Sequence, residues 1–326
     1  MFRTSIKHIV VTGGAGFIGS HFIRHLFLAF GEQIRVTNID NLSYAGNLDN
    51  TASYQNNKNY CFVKADIVDK DFLEKHIFSN FEVDVVVNFA AESHVDRSIL
   101  DSRPFILSNV LGTQVLLDLS RQYKVKKFIQ ISTDEVYGSL GSEGLFSETM
   151  PLSPNSPYSA SKAAADLLAM SYWHTYQLPI CITRCSNNYG PNQFPEKLIP
   201  LAITKAMNDE CIPVYGSGEN IRDWIHVDDH CAGVLSVLNL GEAGEVYNFG
   251  AHSEIKNIEI VKKILSILGK PETLINFVTD RLGHDFRYAI DNTKSINTLG
   301  WKPTIKLEKG LLETVIWYKS RYGEVV

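Results

Sequence analysis

The sequence predicts an α/β protein built on a doubly wound parallel sheet, with a second, smaller α/β unit attached. Three observations predict it. Short β-rich runs alternate with longer stretches of helical spacing through the first half of the chain. The run Val83-Asp84-Val85-Val86-Val87 puts valine on both faces of a strand, which suits a parallel sheet covered by helices on either side. After Arg184 the alternation lapses into a stretch with Gly190, Pro191, Pro195, Pro200, Pro213, Gly216 and Gly218, where a second unit begins.

Taken in order, residues 6–11, 34–40, 60–66, 83–90, 128–132 and 180–184 are rich in β-branched and aromatic residues and predict strands. Residues 17–30, 69–78, 104–123 and 158–176 carry apolar residues at helical spacing between them. A further strand over 246–249 is expected to return to the sheet. A helix over 258–268, the segment 279–291 and a closing helix over 307–322 complete the second unit. The expected boundary is therefore discontinuous, with residues 1–184 and about 224–250 in the first unit, and about 185–223 and 251–326 in the second.

Composition excludes several functions. The chain has 326 residues, 44% apolar and 21% charged, which is ordinary for a globular protein and enough for two domains. Its formal charge of −5 carries no long block of one sign, so no nucleic-acid partner is expected. No apolar run approaches the ~20 residues that cross a bilayer, so no membrane partner is expected either. Cys61, Cys181, Cys185, Cys211 and Cys231 form no C-x-x-C pair and are odd in number, which argues against a disulfide framework or a cysteine zinc site and fits a reducing cytoplasm.

Directly after the first predicted strand stands Thr12-Gly13-Gly14-Ala15-Gly16-Phe17-Ile18-Gly19. Glycines at 14, 16 and 19 satisfy G-x-G-x-x-G, and those at 13, 16 and 19 satisfy G-x-x-G-x-x-G. Glycine permits a tight turn and lets backbone N–H groups approach a pyrophosphate at a helix N-terminus, where the helix dipole favours an anion. The pattern alone is weak, but a strand precedes it and a helix follows. Asp40, 21 residues beyond Gly19, ends the second strand where it can accept hydrogen bonds from a ribose. Together these form a Rossmann fingerprint. The charge on Asp40, with no arginine closely following, favours NAD over NADP. Asp66-Ile67 closes the third strand and Phe89-Ala90-Ala91-Glu92-Ser93 the fourth, at the carboxyl ends where open α/β sheets bind ligands. Asp66 also suits plain loop capping.

A second cluster joins Ser132-Thr133-Asp134-Glu135-Val136-Tyr137-Gly138, ending the fifth strand, to Tyr158-Ser159-Ala160-Ser161-Lys162, opening a helix. Tyr158 and Lys162 are four apart and share a helical face, where an ammonium can stabilise a tyrosinate. Such a tyrosine can take the proton of an alcohol while the carbon loses hydride. Asp134 and Glu135 add two neighbouring carboxyl groups, and one base and one acid acting together need environments that push their pKa values apart. Adjacent strand side chains face opposite ways, so this pairing requires the strand to have ended by Thr133.

Combined with the dinucleotide cradle, these residues resemble the extended short-chain dehydrogenase/reductase superfamily over essentially the whole chain. Within it, Ala90-Ala91-Glu92-Ser93-His94-Val95-Asp96-Arg97-Ser98, the run from Thr133 to Gly138, Cys185-Ser186-Asn187-Asn188-Tyr189-Gly190-Pro191 and Phe194-Pro195-Glu196-Lys197-Leu198-Ile199-Pro200 resemble the dTDP-glucose 4,6-dehydratases. The resemblance implies NAD as cofactor, dTDP-glucose as substrate, a homodimer through the helices containing Gln114 and Tyr158, and a first unit that binds NAD beside a second that binds the nucleotide sugar.

It also implies roles: Tyr158 as the C4-hydroxyl base, Lys162 its electrostatic support, Thr133 a hydrogen-bond partner, Glu135 the C5 base and Asp134 the C6 acid. Cofactor contacts are implied for Gly13, Gly16, Phe17, Ile18, Gly19, Asp40, Asn41, Leu42, Ser43, Asp66, Ile67, Phe89, Ala90, Ala91, Ser108, Tyr158, Lys162 and Asn188. Substrate contacts are implied for Ser93, Thr133, Asn187, Lys197, Leu198, Pro213, Tyr215, Arg222, Asn257, Arg281 and His284. Leu282 and Phe286 stand where the family usually has proline and often has arginine, which leaves the nucleotide open. A UDP-sugar 4,6-dehydratase or 4-epimerase of the same superfamily is the nearest alternative, and a non-catalytic NAD-binding sensor a more distant one. His226 and His230 are spaced as on a zinc-binding helix but lack the glutamate of H-E-x-x-H, so no metal is expected.

Overall fold

The computed structural model describes residues 6–323. Seven strands form its main sheet: β1 (His8–Thr12), β2 (Arg35–Asp40), β3 (Tyr60–Lys64), β4 (Val85–Asn88), β5 (Lys127–Thr133), β6 (Ile180–Cys185) and β10 (Glu245–Phe249), the last numbered by its place in the chain. They lie in the order β10-β6-β5-β4-β1-β2-β3, and every pair is parallel. Alternate residues of each strand go to opposite faces. Ile9, Val11, Val85, Val87 and Ile129 join one core, and Val10, Val86, Phe128, Ile180 and Ile182 the other. Each such side chain contributes about 1.5–3 kcal/mol by leaving water.

Helices cover both cores. On the first lie α1 (Phe17–Phe30) and α8 (Val227–Leu240), which pack on each other. On the second, α5 (Thr113–Gln122) packs against α6 (Pro157–Tyr176). Chain order reverses between β1 and β4, the switch point at which doubly wound sheets open a crevice. The loops after these strands touch there: a Cβ on Gly13, whose φ is +69°, would come within 2.7 Å of the Ala90 nitrogen.

The remaining elements form a third core. Short strands β7 (Asn187–Tyr189), β9 (Ile221–His226) and β11 (Glu254–Lys256) make a three-stranded sheet, and β8 (Ile212–Tyr215) pairs with β12 (Ile275–Val278). Helices α7 (Leu198–Met207), α9 (Asn257–Leu268) and α11 (Leu307–Tyr322) pack Ile203, Ile264 and Val315 around Tyr189 and Trp224. Leu299, ending α10 (Thr293–Leu299), and Trp301 instead return to the first core.

The structure departs from the sequence expectation in several places. The helix expected over 104–123 begins at Arg103 as α4 (Arg103–Phe105), widens into a π-helix over Ile106–Gly112 and becomes α-helical only at Thr113. Gly112 lies so close to Ile67 that a Cβ would meet its Cδ1 at 2.4 Å. The sequence also missed α3 (Val95–Leu100), a helix too short to show a periodic stripe, and α10. Segment 279–291 has no helix and is held by isolated bridges that join Arg287 to Leu140 and Ile221, and Ile290 to Phe146. Among the described residues no helix is long and apolar enough to cross a membrane, and all five cysteines are free.

Candidate active site

A cavity of about 300 Å³ opens at the switch point. Its floor is the glycine turn. The N-terminus of α1 has no side-chain cap at Gly16 and no acidic residue in its first turn, and Phe17, Ile18 and Gly19 face the cavity. First-turn N–H groups without a cap form an anion site. A Cβ on Gly19 would meet the Gly13 carbonyl oxygen at 2.3 Å, so the turn closes only with glycine there. The Asp40 carboxylate accepts from the N–H of Ala15 (3.0 Å) and of Leu42 (2.8 Å), and burial raises its pKa. Asp66 accepts from the Val68 N–H (3.1 Å) and the Asn41 amide (3.1 Å), as a loop-capping residue does, and it also lines the cavity. The uncapped helix end, the glycine-dependent turn and the carboxylate at the end of β2 fit an adenine dinucleotide, whose pyrophosphate the first turn of α1 would hold and whose ribose Asp40 would accept from.

Every residue expected at the cofactor lines this cavity except Leu42. Leu42 has φ 55° and donates its N–H to Asp40, so it shapes the loop that holds Asp40.

The reactive groups line the same cavity. Strand β5 ends at Thr133, as the acid–base pairing requires, and the chain turns through the 3₁₀ helix Asp134–Tyr137. Both carboxyl groups therefore escape strand alternation and line the cavity. The Thr133 hydroxyl donates to Asp134 Oδ1 (3.2 Å) and accepts from the Glu135 N–H (3.3 Å). Helix α6 starts in a fixed place because Ser156 and Ser159 form a reciprocal capping box ahead of Pro157. This presents Tyr158 and Lys162 to the cavity from consecutive turns.

Asp134 is 1% exposed and its Oδ2 has no hydrogen-bond partner. Burial pushes its pKa well up, and the charges of Glu135 and Asp223 add to this. Burial raises Glu135 too, but Lys197, Arg222 and Arg281 oppose it. Two adjacent carboxyl groups thus have unlike surroundings. Burial, then Glu135, holds the Tyr158 phenol well above its ordinary value, with Thr133 opposing. Lys162 donates to the Ile131 carbonyl (2.6 Å), and burial lowers its pKa. Burial therefore favours the neutral phenol, and the Lys162 side chain is anchored to backbone.

A second cavity, about 290 Å³, adjoins the first, and Glu135, Asn187, Asn188, Gln193, Glu196 and Lys197 line both. Leu198, Pro213, Tyr215, Arg222, Asn257, Arg281 and His284 line the second, while Ser93 and Thr133 face only the first. Its cations are held in place. Lys197 donates to the Ser93 carbonyl (2.6 Å); Arg222 donates to the carbonyls of Ile221 (2.8 Å), Asp285 (2.9 Å) and Phe286 (3.3 Å). Arg281 grips Asp96 with Nε (2.5 Å) and Nη2 (3.0 Å), and Tyr215 donates to the same carboxylate (3.1 Å).

Sequence reasoning missed several lining residues. Glu196 accepts from Tyr44 (3.0 Å) and pairs with Arg97 (3.3 Å), which ties the loop after β2 to the loop before α7. It stood beside Lys197 in a quoted motif, and that adjacent opposite charge was the available signal. Asp285 and Tyr288 lie in the irregular segment, where no periodicity marks them. His226 and His230 are buried and engaged separately. His226 Nδ1 accepts from the Asp228 N–H and His230 Nδ1 contacts Asn188. Among the described residues no group of three or more His, Cys, Asp or Glu side chains could hold a metal. Asp228 and Asp229 occupy the first turn of α8 but reach outward, Asp228 to His21, Arg24 and His25, and Asp229 to Thr304 and Ile305.

Residues 10–314 match the family described as GDP-mannose 4,6 dehydratase. A dTDP-glucose 4,6-dehydratase of Actinoplanes is 48% identical over 96% of this chain and 98% of its own length, and one of Xanthomonas campestris is 50% identical over 95% and 92%. The structure of a dTDP-glucose 4,6-dehydratase from Bacillus anthracis, solved in complex with NAD, superposes with a TM-score of 0.89 at 51% identity, over 96% of this chain and 97% of that one. With the glycine turn, the Tyr158–Lys162 pair and the Asp134–Glu135 turn all lining one cavity, these likenesses show that the chain belongs to the GDP-mannose 4,6 dehydratase family and, within it, to the dTDP-glucose 4,6-dehydratases.

Proposed function

We propose that this protein converts dTDP-glucose to dTDP-4-keto-6-deoxy-glucose and water, with Tyr158, Lys162, Thr133, Glu135 and Asp134 as its catalytic residues. The observation that carries this is the unlike setting of Asp134 and Glu135 where the two cavities meet. A 4-epimerase needs the tyrosine, the lysine and a hydroxyl, and has no use for such a pair. When bound, NAD supplies an acceptor for the C4 hydride, returns that hydride to C6 and brings a positively charged ring into the site.

The residues do the rest. Tyr158 Oη takes the proton of the C4 hydroxyl, helped by Thr133 Oγ1, with Lys162 as the buried cation that favours the phenolate once the site is filled. Glu135, eased toward its ionised form by Lys197, Arg222 and Arg281, removes the C5 proton and gives a proton back to C5 when hydrogen is returned to C6. Asp134, neutral because it is buried, donates its proton to the departing C6 oxygen. Lys197, Arg222 and Arg281 hold the diphosphate, and Pro213, Tyr215 and Asn257 surround the nucleoside. In this reading the main sheet with its helices, together with Leu299 and Trp301, is the NAD-binding domain, and the third core carries the nucleotide-sugar domain.

We infer a homodimer through α5, α6 and the helical segment before α5, supported by Ile106 and Leu167, which are 51% and 63% exposed there beside exposed Leu107 and Leu111. The free thiols suit a cytoplasmic protein. The test is to incubate the purified protein with dTDP-glucose or UDP-glucose without added reductant. The 4-keto-6-deoxy product should appear by NMR from dTDP-glucose; product from UDP-glucose alone contradicts the assignment of the nucleotide.

A further inference from the structure

The two halves of the catalytic apparatus lie on different elements, and one buried side chain joins them. Arg184, at the end of β6 and 5% exposed, donates Nε to Asp166 Oδ2 (2.9 Å) and Nη1 to the Tyr137 hydroxyl (2.9 Å). Asp166 lies on α6, one turn beyond Lys162. Tyr137 closes the 3₁₀ turn that begins with Asp134 and Glu135. We propose that Arg184, with Asp166 and Tyr137, is a positioning clamp that sets the Asp134–Glu135 turn in register with the Tyr158–Lys162 helix, so that the acid and base of the elimination meet the sugar that Tyr158 has oxidised.

The geometry fits a register device better than a generic core contact. Asp166 is 1% exposed, and no cation but Arg184 forms an ion pair with it among the described residues. The Tyr137 hydroxyl is fully used. It accepts from Arg184 and donates to Asn248 Oδ1 (2.9 Å) on β10, while its ring stacks on Phe146 at 5.0 Å. The guanidinium lies 4.8 Å from the centre of the same ring. A planar fork with fixed donors holds two partners at a set angle in a way that a lysine would not. The clamp adds a fixed polar link to the turn's other anchors: Val136 and Tyr137 pack with Phe146, Ala163 and Tyr288, Ser153 donates its N–H to the Val136 carbonyl (3.0 Å), and the Thr133 hydroxyl accepts from the Glu135 N–H. The charge of Asp166 also acts on Lys162, opposing the burial that lowers its pKa, so the clamp bears on both ends of the site.

This inference rests on the dehydratase reading, and its test keeps the two apart. In the first arm, single-turnover reactions of the wild type and Tyr137→Phe in deuterium oxide follow sugar oxidation by reduced-coenzyme absorbance, and elimination by deuterium entering C5. The ratio of the two rates does not depend on how much of the sample is folded. Tyr137→Phe should lower elimination relative to oxidation by at least about tenfold, since small misplacements of catalytic groups cost that much or more. Tyr247→Phe, which loses a buried hydroxyl elsewhere on the sheet, should leave the ratio unchanged.

In the second arm, amide hydrogen exchange of residues 134–138 is compared between the wild type and Asp166→Asn. Exchange should be faster in the variant, because Asp166 holds the guanidinium of Arg184 that in turn holds Tyr137. A wild-type ratio in Tyr137→Phe, or wild-type exchange in Asp166→Asn, overturns the clamp. A wild type that takes no deuterium into C5 overturns the dehydratase reading and the clamp with it.

Discussion

Asp134 and Glu135 are consecutive in the chain and stand in opposite electrostatic settings. The first is buried with an unpartnered oxygen near the charges of Glu135 and Asp223, and the second faces three cations at the junction of two cavities. A pair of carboxyl groups whose surroundings differ in this way can act as one acid and one base at the same pH.

Replacing the base should separate the steps. Glu135→Gln is expected to oxidise the sugar, seen as reduced-coenzyme absorbance on adding dTDP-glucose, and to lose C5 deuterium uptake by roughly 10²–10⁴-fold. Uptake at the wild-type rate would remove Glu135 from its role.

Asp134→Asn should slow elimination more than oxidation, and the same substitution should change stability in a pH-dependent way. Asp134 has a folded pKa raised above its unfolded value. Its contribution to stability is therefore complete below about pH 4 and is lost as pH rises through the folded pKa. The melting temperature of Asp134→Asn should gain on the wild type as pH rises above ~4. Parallel curves would mean that the carboxyl ionises as freely in the folded protein as in the unfolded chain.

Tyr158→Phe should abolish sugar oxidation, by roughly 10²–10⁴-fold, while NAD and dTDP still bind. Reduced coenzyme appearing at the wild-type rate would contradict the tyrosine's role.

Arg222→Ala should raise KM for dTDP-glucose by about ten- to a hundredfold with a smaller effect on kcat. It should also lower the melting temperature, since three backbone carbonyls lose a buried donor. A changed melting temperature with an unchanged KM would make Arg222 a structural residue only.

Much of this was legible in the chain. The parallel sheet follows from valine runs such as Val85–Asn88, and the cradle from glycines whose Cβ atoms would collide with the backbone of Gly13 or Ala90. Tyr158 and Lys162 follow from helical spacing. The ties that hold the cations do not. Asp96 meets Arg281 across 185 residues, and Glu196 meets Tyr44 across 152, pairings that tertiary folding sets and no local period marks.

The most direct test of the central claim is a crossover experiment. The enzyme is given dTDP-glucose deuterated at C4 together with substrate that carries a ¹³C-labelled sugar and no deuterium, and each product is examined by mass spectrometry and NMR. Deuterium found at C6 only in molecules without ¹³C is the predicted result. Deuterium lost to solvent, or shared between the two pools, would contradict a hydrogen that is taken and returned within one sugar.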